Sequence, residues 1–438
     1  MNIDEKLTIN ARWDNELVPA GKTTTRNLLI ELTAPPSPVQ EATRQPINLA
    51  LVIDRSGSMN GAPIEAARRA ATGIAECLDE HDRLSLVIFD DEVETLFSGL
   101  IMDQQGKRSA HERIGRIQCG ATTNLAAGWL GGSRCVASEI EHGTFHGGHV
   151  LVLSDGMANQ GICDPEVLQR HAQELAHRGI KSSAVGIGMS YSPLQLDALA
   201  EGGQGRLHDA ESTTDIIDVV LGELGELQAI TARDVLLTIN YPSSAIMELL
   251  TRSSFDHTPC KYVLKPGDIT ANATRPIAVR VALSDLELGD HLRFDINVRW
   301  RGQKDEISYN TLDYQTKLQV VSPQEAEQNH SDLEVVQRIA DLWEAALAYQ
   351  AIRQNEQGDY LAASTIYEQQ TTAFDDLVAD LPDASVRMNR LSSTRSRVSR
   401  RWDGRSKRQA YTLSKKEMVA ERDLRSVSSG SWHDYVEP

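Results

Sequence analysis

The chain has 438 residues, of which 40% are hydrophobic and 24% charged, and a formal net charge of -18 at pH 7. Units of roughly 100–200 residues make two or three of them the expectation, and the composition is globular rather than fibrous or disordered. The negative balance argues against nucleic acid or an anionic membrane surface as a partner, and no apolar run approaches the ~20 residues of a membrane helix. Residues Met1 to Gly21 lack the apolar stretch of a secretory signal, so a cytoplasmic protein is expected. Cys77, Cys119, Cys135, Cys163 and Cys260 are odd in number and contain no C-x-x-C pair, which predicts buried thiols rather than a disulfide framework or a zinc clip.

Residues Lys6 to Ala34 read as alternating strands, and so do Asp234 to Val321, as in Leu292 to Val298. Between them lie short, near-continuous apolar runs at Ile47–Ile53, Leu84–Phe89, His149–Leu153 and Ser182–Ile187, the pattern of parallel strands covered on both faces, with Val93–Ile101 as an edge strand. Amphipathic stretches separate them: Pro63–Leu78, Asn124–Glu141, Pro165–His177 capped by Asp164 and ended by Gly179, Ser192–Leu199 and Ser212–Ile230. This is an α/β unit over residues 46–230. Because the ends of a domain lie close together, the flanks 1–45 and 231–321 are expected to form one β-sandwich into which that unit is inserted. Residues 322–381 switch to helical periodicity, broken at Gly358, and predict a helical hairpin. The remainder, 382–438, is rich in Lys, Arg and Ser up to Lys416 and reads as a solvated tail, helical in part and disordered toward its end.

One segment carries chemistry. The first apolar strand ends in Asp54-Arg55-Ser56-Gly57-Ser58. A carboxylate and two hydroxyls at alternating positions of a tight loop converge on one point, and such hard oxygen donors suit Mg²⁺, Ca²⁺ or Mn²⁺ rather than zinc or copper. The loop follows the carboxyl end of a parallel strand, where open α/β sheets bind ligands. Two further segments reach the same edge: Ser154-Asp155-Gly156 after another strand, and Gly120 to Leu125 ahead of a helix. A single aspartate there reads equally well as a turn or helix cap, but the three segments together do not.

In order and spacing Asp54-x-Ser56-x-Ser58, Thr123-Asn124-Leu125 and Ser154-Asp155-Gly156 resemble the metal-ion-dependent adhesion site of von Willebrand factor A (VWA) domains, over about residues 47 to 228. The resemblance implies a doubly wound, mostly parallel six-stranded sheet. It implies metal ligation by the Ser56 and Ser58 hydroxyls, by Asp54 and Asp155 directly or through water, and by Thr123 once ligand is bound, with Thr122 as a rival for that role. Mg²⁺ is the implied metal, with Ca²⁺ or Mn²⁺ as alternatives, and a Glu or Asp of a partner protein fills the remaining position. The flanks are similar to the bacterial and calcium-channel-subunit branch, and cytoplasmic members are linked with kinases and phosphatases, so a signalling partner of that kind is expected. In the family the last helix, here Ser212 to Gln228, shifts with the site.

Weaker signals have plainer readings. Glu139, Glu141, His142, His146 and His149 form either a transition-metal group or a polar loop, and Asp90, Asp91, Glu92 and Glu94 either a solvated hairpin or an auxiliary cation site. Gly186-Ile187-Gly188 lacks the third glycine of a dinucleotide fingerprint, and no nucleophile elbow or Walker loop occurs. The expected function is a non-enzymatic, metal-dependent scaffold or adaptor. The competing reading is a metal-dependent hydrolase using the same cation.

Overall fold

The computed structural model describes residues 6–36, 46–120, 122–156, 158–188, 191–210, 212–251, 253–302, 308–356 and 358–401. They fall into two compact units, one of residues 46–229 and one of residues 6–36 with 230–401.

The chain opens in the second unit with β1 (Thr8–Trp13), β2 (Leu17–Pro19) and β3 (Thr24–Thr33). The α/β unit follows: β4 (Asn48–Asp54), α1 (Ala62–Cys77), β5 (Arg83–Phe89), β6 (Val93–Ile101), α2 (Gln104–Ile114), α3 (Leu125–Glu141), β7 (Gly148–Ser154), α4 (Pro165–His177), β8 (Ile180–Ile187), α5 (Pro193–Gly202), β9 (Gln204–Ala210) and α6 (Thr213–Gln228). Among the described residues its six strands lie in the order β6-β5-β4-β7-β8-β9, all parallel except the edge strand β6. This is the VWA-like α/β fold. Every residue of β4 is buried, as a strand with helices on both faces requires, and its one polar side chain before Asp54, Asn48, donates to the Val136 carbonyl at 3.1 Å. On one face Leu49, Leu51 and Ile53 pack against α1 and α6 through Ile64, Ala67, Ala71, Ile74 and Val220. On the other, α3 comes unusually close: a Cβ on Gly128 would lie 2.4 Å from the Phe89 ring, and one on Gly132 2.4 Å from Val52 Cγ2.

The strand positions follow the apolar runs. Two elements do not appear in that pattern. Helix α2 has a mostly polar sequence and buries only Gly106, Ala110 and Ile114, so its apolar stripe is too thin to read. Strand β9, Gln204 to Ala210, sits at the sheet edge, where Arg206 and Asp209 are only half-buried and the buried His208 is paired with a carboxylate of α6.

The second unit resumes with β10 (Ile230–Asn240), β11 (Ala245–Leu249), β12 (Ser254–Thr258), β13 (Lys261–Thr270), β14 (Thr274–Leu283), β15 (His291–Arg301) and β16 (Asn310–Val321). Among the described residues the sheets run β1-β3-β14-β11 and β12-β13-β10-β15-β16-β2. Their inner faces share one core, including Leu28, Ile30 and Val279 from one sheet and Leu237, Phe294 and Ile296 from the other, with Trp13 edge-on to Phe294 at 4.9 Å.

Four helices complete this unit among the described residues: α7 (Pro323–Gln328), α8 (Leu333–Glu356), α9 (Tyr360–Val378) and α10 (Ala384–Val398). The hairpin read from the sequence is α8 with α9. The first part of the predicted tail is instead a third packed helix, because Arg387 is buried among carboxylates of α8 and of its own first turn: Asp341 at 2.7 Å, Glu344 at 3.0 Å and Asp383 at 3.0 Å. The tail from residue 402 lies outside the described residues. Arg387→Met takes the shared cation from Asp341 and Glu344 and leaves Glu344 only Arg390, at 3.3 Å. Because Asp341 and Asp383 keep contact with water, the expected loss is about 2 kcal/mol, below the 3–5 of a fully buried pair, together with faster tryptic cleavage within α10. Cleavage and melting unchanged from wild type would mean that α10 is held by contacts other than those of Arg387.

Candidate functional site

Strand β4 is where the connections change direction. From β4 the chain passes through α1 to β5 on one side, whereas β7, β8 and β9 follow on the other, so the crevice lies beyond the carboxyl ends of β4 and β7. Ile53 pairs with Leu153, and the next residues out on each strand are therefore Asp54 and Ser154. Strand register alone puts the two loops side by side.

The side chains connect directly. Ser154 donates its hydroxyl to Asp54 Oδ2 at 2.5 Å, while the Ser56 amide donates to Asp54 Oδ1 at 2.8 Å and closes the loop. Ser58 Oγ donates to Asp155 Oδ1 at 2.7 Å and lies 3.2 Å from Ser56 Oγ. Asp54 and Ser56 are buried, and Ser58 is exposed, so the set opens to solvent at Ser58. Thr123 reaches the same place from the other loop: a Cβ built on Gly156 would lie 3.1 Å from Thr123 Oγ1 and 3.7 Å from Asp54 Oδ2, so those two groups face one gap over a bare glycine. Thr122 is turned away and accepts from Gln160 Nε2 at 2.9 Å.

The electrostatics have one sign. Burial pushes the Asp54 carboxyl above the usual aspartate range, against the hydrogen bonds from Ser154 and Ser56, and Asp155 adds its like charge. Burial also raises Asp155, against the hydrogen bond from Ser58. Among the described residues neither carboxylate forms an ion pair with a basic side chain. Arg55, the closest in sequence, is committed to Asp90 at 3.2 Å and Glu94 at 3.2 Å. Two carboxylates with two or three hydroxyls are the donor set of a hard divalent ion, so these residues fit Mg²⁺, Ca²⁺ or Mn²⁺.

Other candidates are placed differently. Among the described residues no group of three or more His, Cys, Asp or Glu side chains could hold a metal. In the His142–His149 segment the side chains are placed apart: Glu139 reaches Arg83 at 3.7 Å, His142 caps the end of α3, and His149 points to Glu223. Nor is Asp90 part of a solvated run. It is buried, its backbone oxygen accepts from Asn124 at 2.8 Å, and it fixes the threonine loop against β5. The cysteines are unpaired, with Cys135 buried and the others half-buried. Sequence reasoning missed Asn159 and Gln195, which hold the two loops together. Amides working through main-chain hydrogen bonds leave no pattern in a single sequence.

A second buried cluster anchors α6 to the sheet. Glu223 accepts from Ser183 Oγ at 2.5 Å and bonds His208 Nε2 at 2.6 Å, with His149 Nε2 at 3.8 Å, while Arg206 on β9 pairs with Glu226 at 3.1 Å. Burial opposes ionisation of Glu223, but the charge and hydrogen bond of His208, then His149 and Arg206, outweigh it and hold the carboxyl well below the usual range. Its stabilisation is thus complete above the unfolded glutamate value of about 4.3 and is lost as pH falls below that. Glu223→Gln should cost about 2–4 kcal/mol at pH 7, and the gap from wild type should narrow below about pH 4.3. Denaturant unfolding across pH 3 to 7 measures it, and a gap that does not change with pH contradicts the ionised assignment.

Comparison with known proteins bears on the fold that carries these residues. Residues 48–220 match the family model of the von Willebrand factor type A domain. A protein of Synechocystis sp. is 24% identical over 312 residues, 68% of this chain and 71% of that one. Human inter-alpha-trypsin inhibitor heavy chain H4 is 28% identical over 221 residues, 49% of this chain but only 23% of that protein. Among solved structures, a von Willebrand factor type A protein from Catenulispora acidiphila superposes with a TM-score of 0.67 at 15% identity, covering 93% of this chain and 96% of that one. The ArnB paralog VWA2 from Sulfolobus acidocaldarius gives a TM-score of 0.60 at 15% identity and covers 94% and 98%. Such identities show the fold alone, and here it extends beyond the α/β unit. The chain carries a von Willebrand factor type A domain over residues 48–220, and no described helix is long and apolar enough to cross a membrane.

Proposed function

We propose that the protein is a divalent-metal-dependent interaction module, acting as scaffold or adaptor, in which the metal captures an acidic side chain of a partner protein. One observation carries the reading: Asp54 and Asp155 are brought together with Ser56, Ser58 and Thr123 at the strand switch point, and among the described residues no basic side chain pairs with them. Ser56, Ser58 and Asp155 would hold the cation. Asp54, deeper and bonded to Ser154 and the Ser56 amide, would orient the loop and contribute charge through water. A Ser58 hydroxyl that donates to Asp155 keeps its lone pairs for a metal. The cation brings Lewis acidity and an open coordination position, and after two carboxylates that position still favours an anionic oxygen. Mg²⁺ is the metal proposed, with Ca²⁺ and Mn²⁺ as alternatives.

The heavy chains of inter-alpha-trypsin inhibitor share this domain, and VWA domains commonly mediate protein contacts, which supports a protein ligand here. A partner tied to a kinase or phosphatase, and a cytoplasmic setting, belong to the same proposal. A hydrolase using the same cation is the second reading, and it is less favoured because Asp54 already accepts from Ser154 and the Ser56 amide, and Asp155 from Ser58.

The test is a thermal titration with Mg²⁺ followed by a pull-down. At a metal concentration 100 times Kd, wild type should gain about 2.7 kcal/mol, and the Asp54→Ala, Ser56→Ala double variant should gain nothing. A partner should be retained by wild type in Mg²⁺ and released by chelator. Equal metal stabilisation of wild type and variant, or retention indifferent to both, rules the site out.

A further inference from the structure

We propose that Gln195, on α5, positions Thr123 through the 158–163 loop, so that α5 sets the geometry of the metal site from a helix that contributes no ligand. The inference rests on the site reading above only in what Thr123 is for; the relay itself is a matter of hydrogen bonds.

Both main-chain polar groups of Thr123 are taken by one residue of the opposite loop. The Asn159 amide donates to the Thr123 carbonyl at 3.2 Å, and the Thr123 amide donates to Asn159 Oδ1 at 3.3 Å. The neighbours reinforce the clasp. Gln160 Nε2 donates to Thr122 Oγ1 at 2.9 Å, and Gly161, with φ at +71°, lies so close to Asn124 that a Cβ there would be 2.5 Å from Asn124 Oδ1. The threonine loop is therefore indexed to Asn159 at Thr123 itself, while its ties to β4 and β5 are made at Gly120 and Asn124.

What holds Asn159 is Gln195. Its side chain is buried, at 8% exposure, and all of its amide capacity is spent on that loop: Oε1 accepts from the Ala158 amide at 2.9 Å, and Nε2 donates to the Cys163 carbonyl at 2.9 Å and the Ala158 carbonyl at 3.3 Å. A primary amide has two donors and one acceptor atom, and here they bracket residues 158 to 163 from inside. Helix α5 is in turn seated by Ser192, whose hydroxyl caps its first turn at Gln195, and by packing on α4, β8 and β9. A small rotation of α5 would move Asn159, and with it the Thr123 hydroxyl relative to Asp54. This handle is separate from α6, which the Glu223 cluster fixes to other positions on the sheet.

Hydrogen exchange of the full chain, read on peptides covering 54–59, 122–128 and 155–164, tests the relay in metal-free buffer and again with Mn²⁺. Gln195→Ala should speed exchange in both 155–164 and 122–128 by about tenfold, the loss of roughly one net hydrogen bond, with 54–59 unchanged. Gln195→Glu keeps the acceptor for Ala158 but places an anion against two carbonyls, so it should not rescue. Asn159→Ala, an exposed position, should speed 122–128 without loosening α5, and it serves if Gln195→Ala does not fold. Faster exchange of 155–164 with 122–128 unaffected in both variants would overturn the relay, as would no change in either segment. If Mn²⁺ leaves the wild-type profile untouched, the metal reading fails, yet the metal-free arm still decides the relay.

Discussion

Negative charge held away from water governs this domain. Burial is the largest influence that raises both carboxyls of the site, and the like charge of Asp155 adds a smaller push on Asp54. Asp54 and Asp155 answer with hydrogen bonds from Ser56, Ser58 and Ser154, each worth roughly 1–3 kcal/mol when the acceptor is charged. The hydroxyls ease the strain without cancelling the charge, which leaves a shortage of positive charge at the site among the described residues that the proposed cation would fill. Elsewhere in the same domain the buried acid has its counter-charges: Glu223 meets His208, His149 and Arg206, and its carboxyl is held low instead of raised.

The scaffold makes that shortage tolerable because the site's parts are placed by the sheet. β4 and β7 are adjacent and fully paired, so the separation of their carboxyl ends is fixed by register. Helix α3 can come close enough to bring Thr123 over Gly156 because Gly128 and Gly132 leave room for Phe89 and Val52. The 158–163 loop, which the sheet does not place, is held by the side-chain amides of Asn159 and Gln195.

Much of this was legible from the sequence, for physical reasons. Doubly covered strands are apolar on both faces, so β4, β5, β7 and β8 announce themselves, and half-covered β15 shows alternation, visible in the burial of Leu292, Phe294, Ile296 and Val298. The oxygen side chains that meet at the switch point were legible as a group because each follows the carboxyl end of a strand or precedes a helix at that edge. What could not be read depends on contacts distant in the chain. Arg387 looks like one cation of a basic tail until Asp341 and Glu344 surround it, and His149 like a member of a histidine-rich loop until Glu223 lies beside it. Asp90 belonged by sequence to an acidic hairpin and by structure to the wall that holds Arg55 away from the site.

The most direct test of the central claim is an anomalous difference map from a crystal of the full chain soaked in Mn²⁺. The account predicts a single strong peak within about 2.0–2.6 Å of oxygen from Ser56 and Ser58, with Asp155 in contact directly or through water and an open position toward solvent. A well-ordered site with no peak, or with the metal bound elsewhere while Ser58 still donates to Asp155, would contradict it.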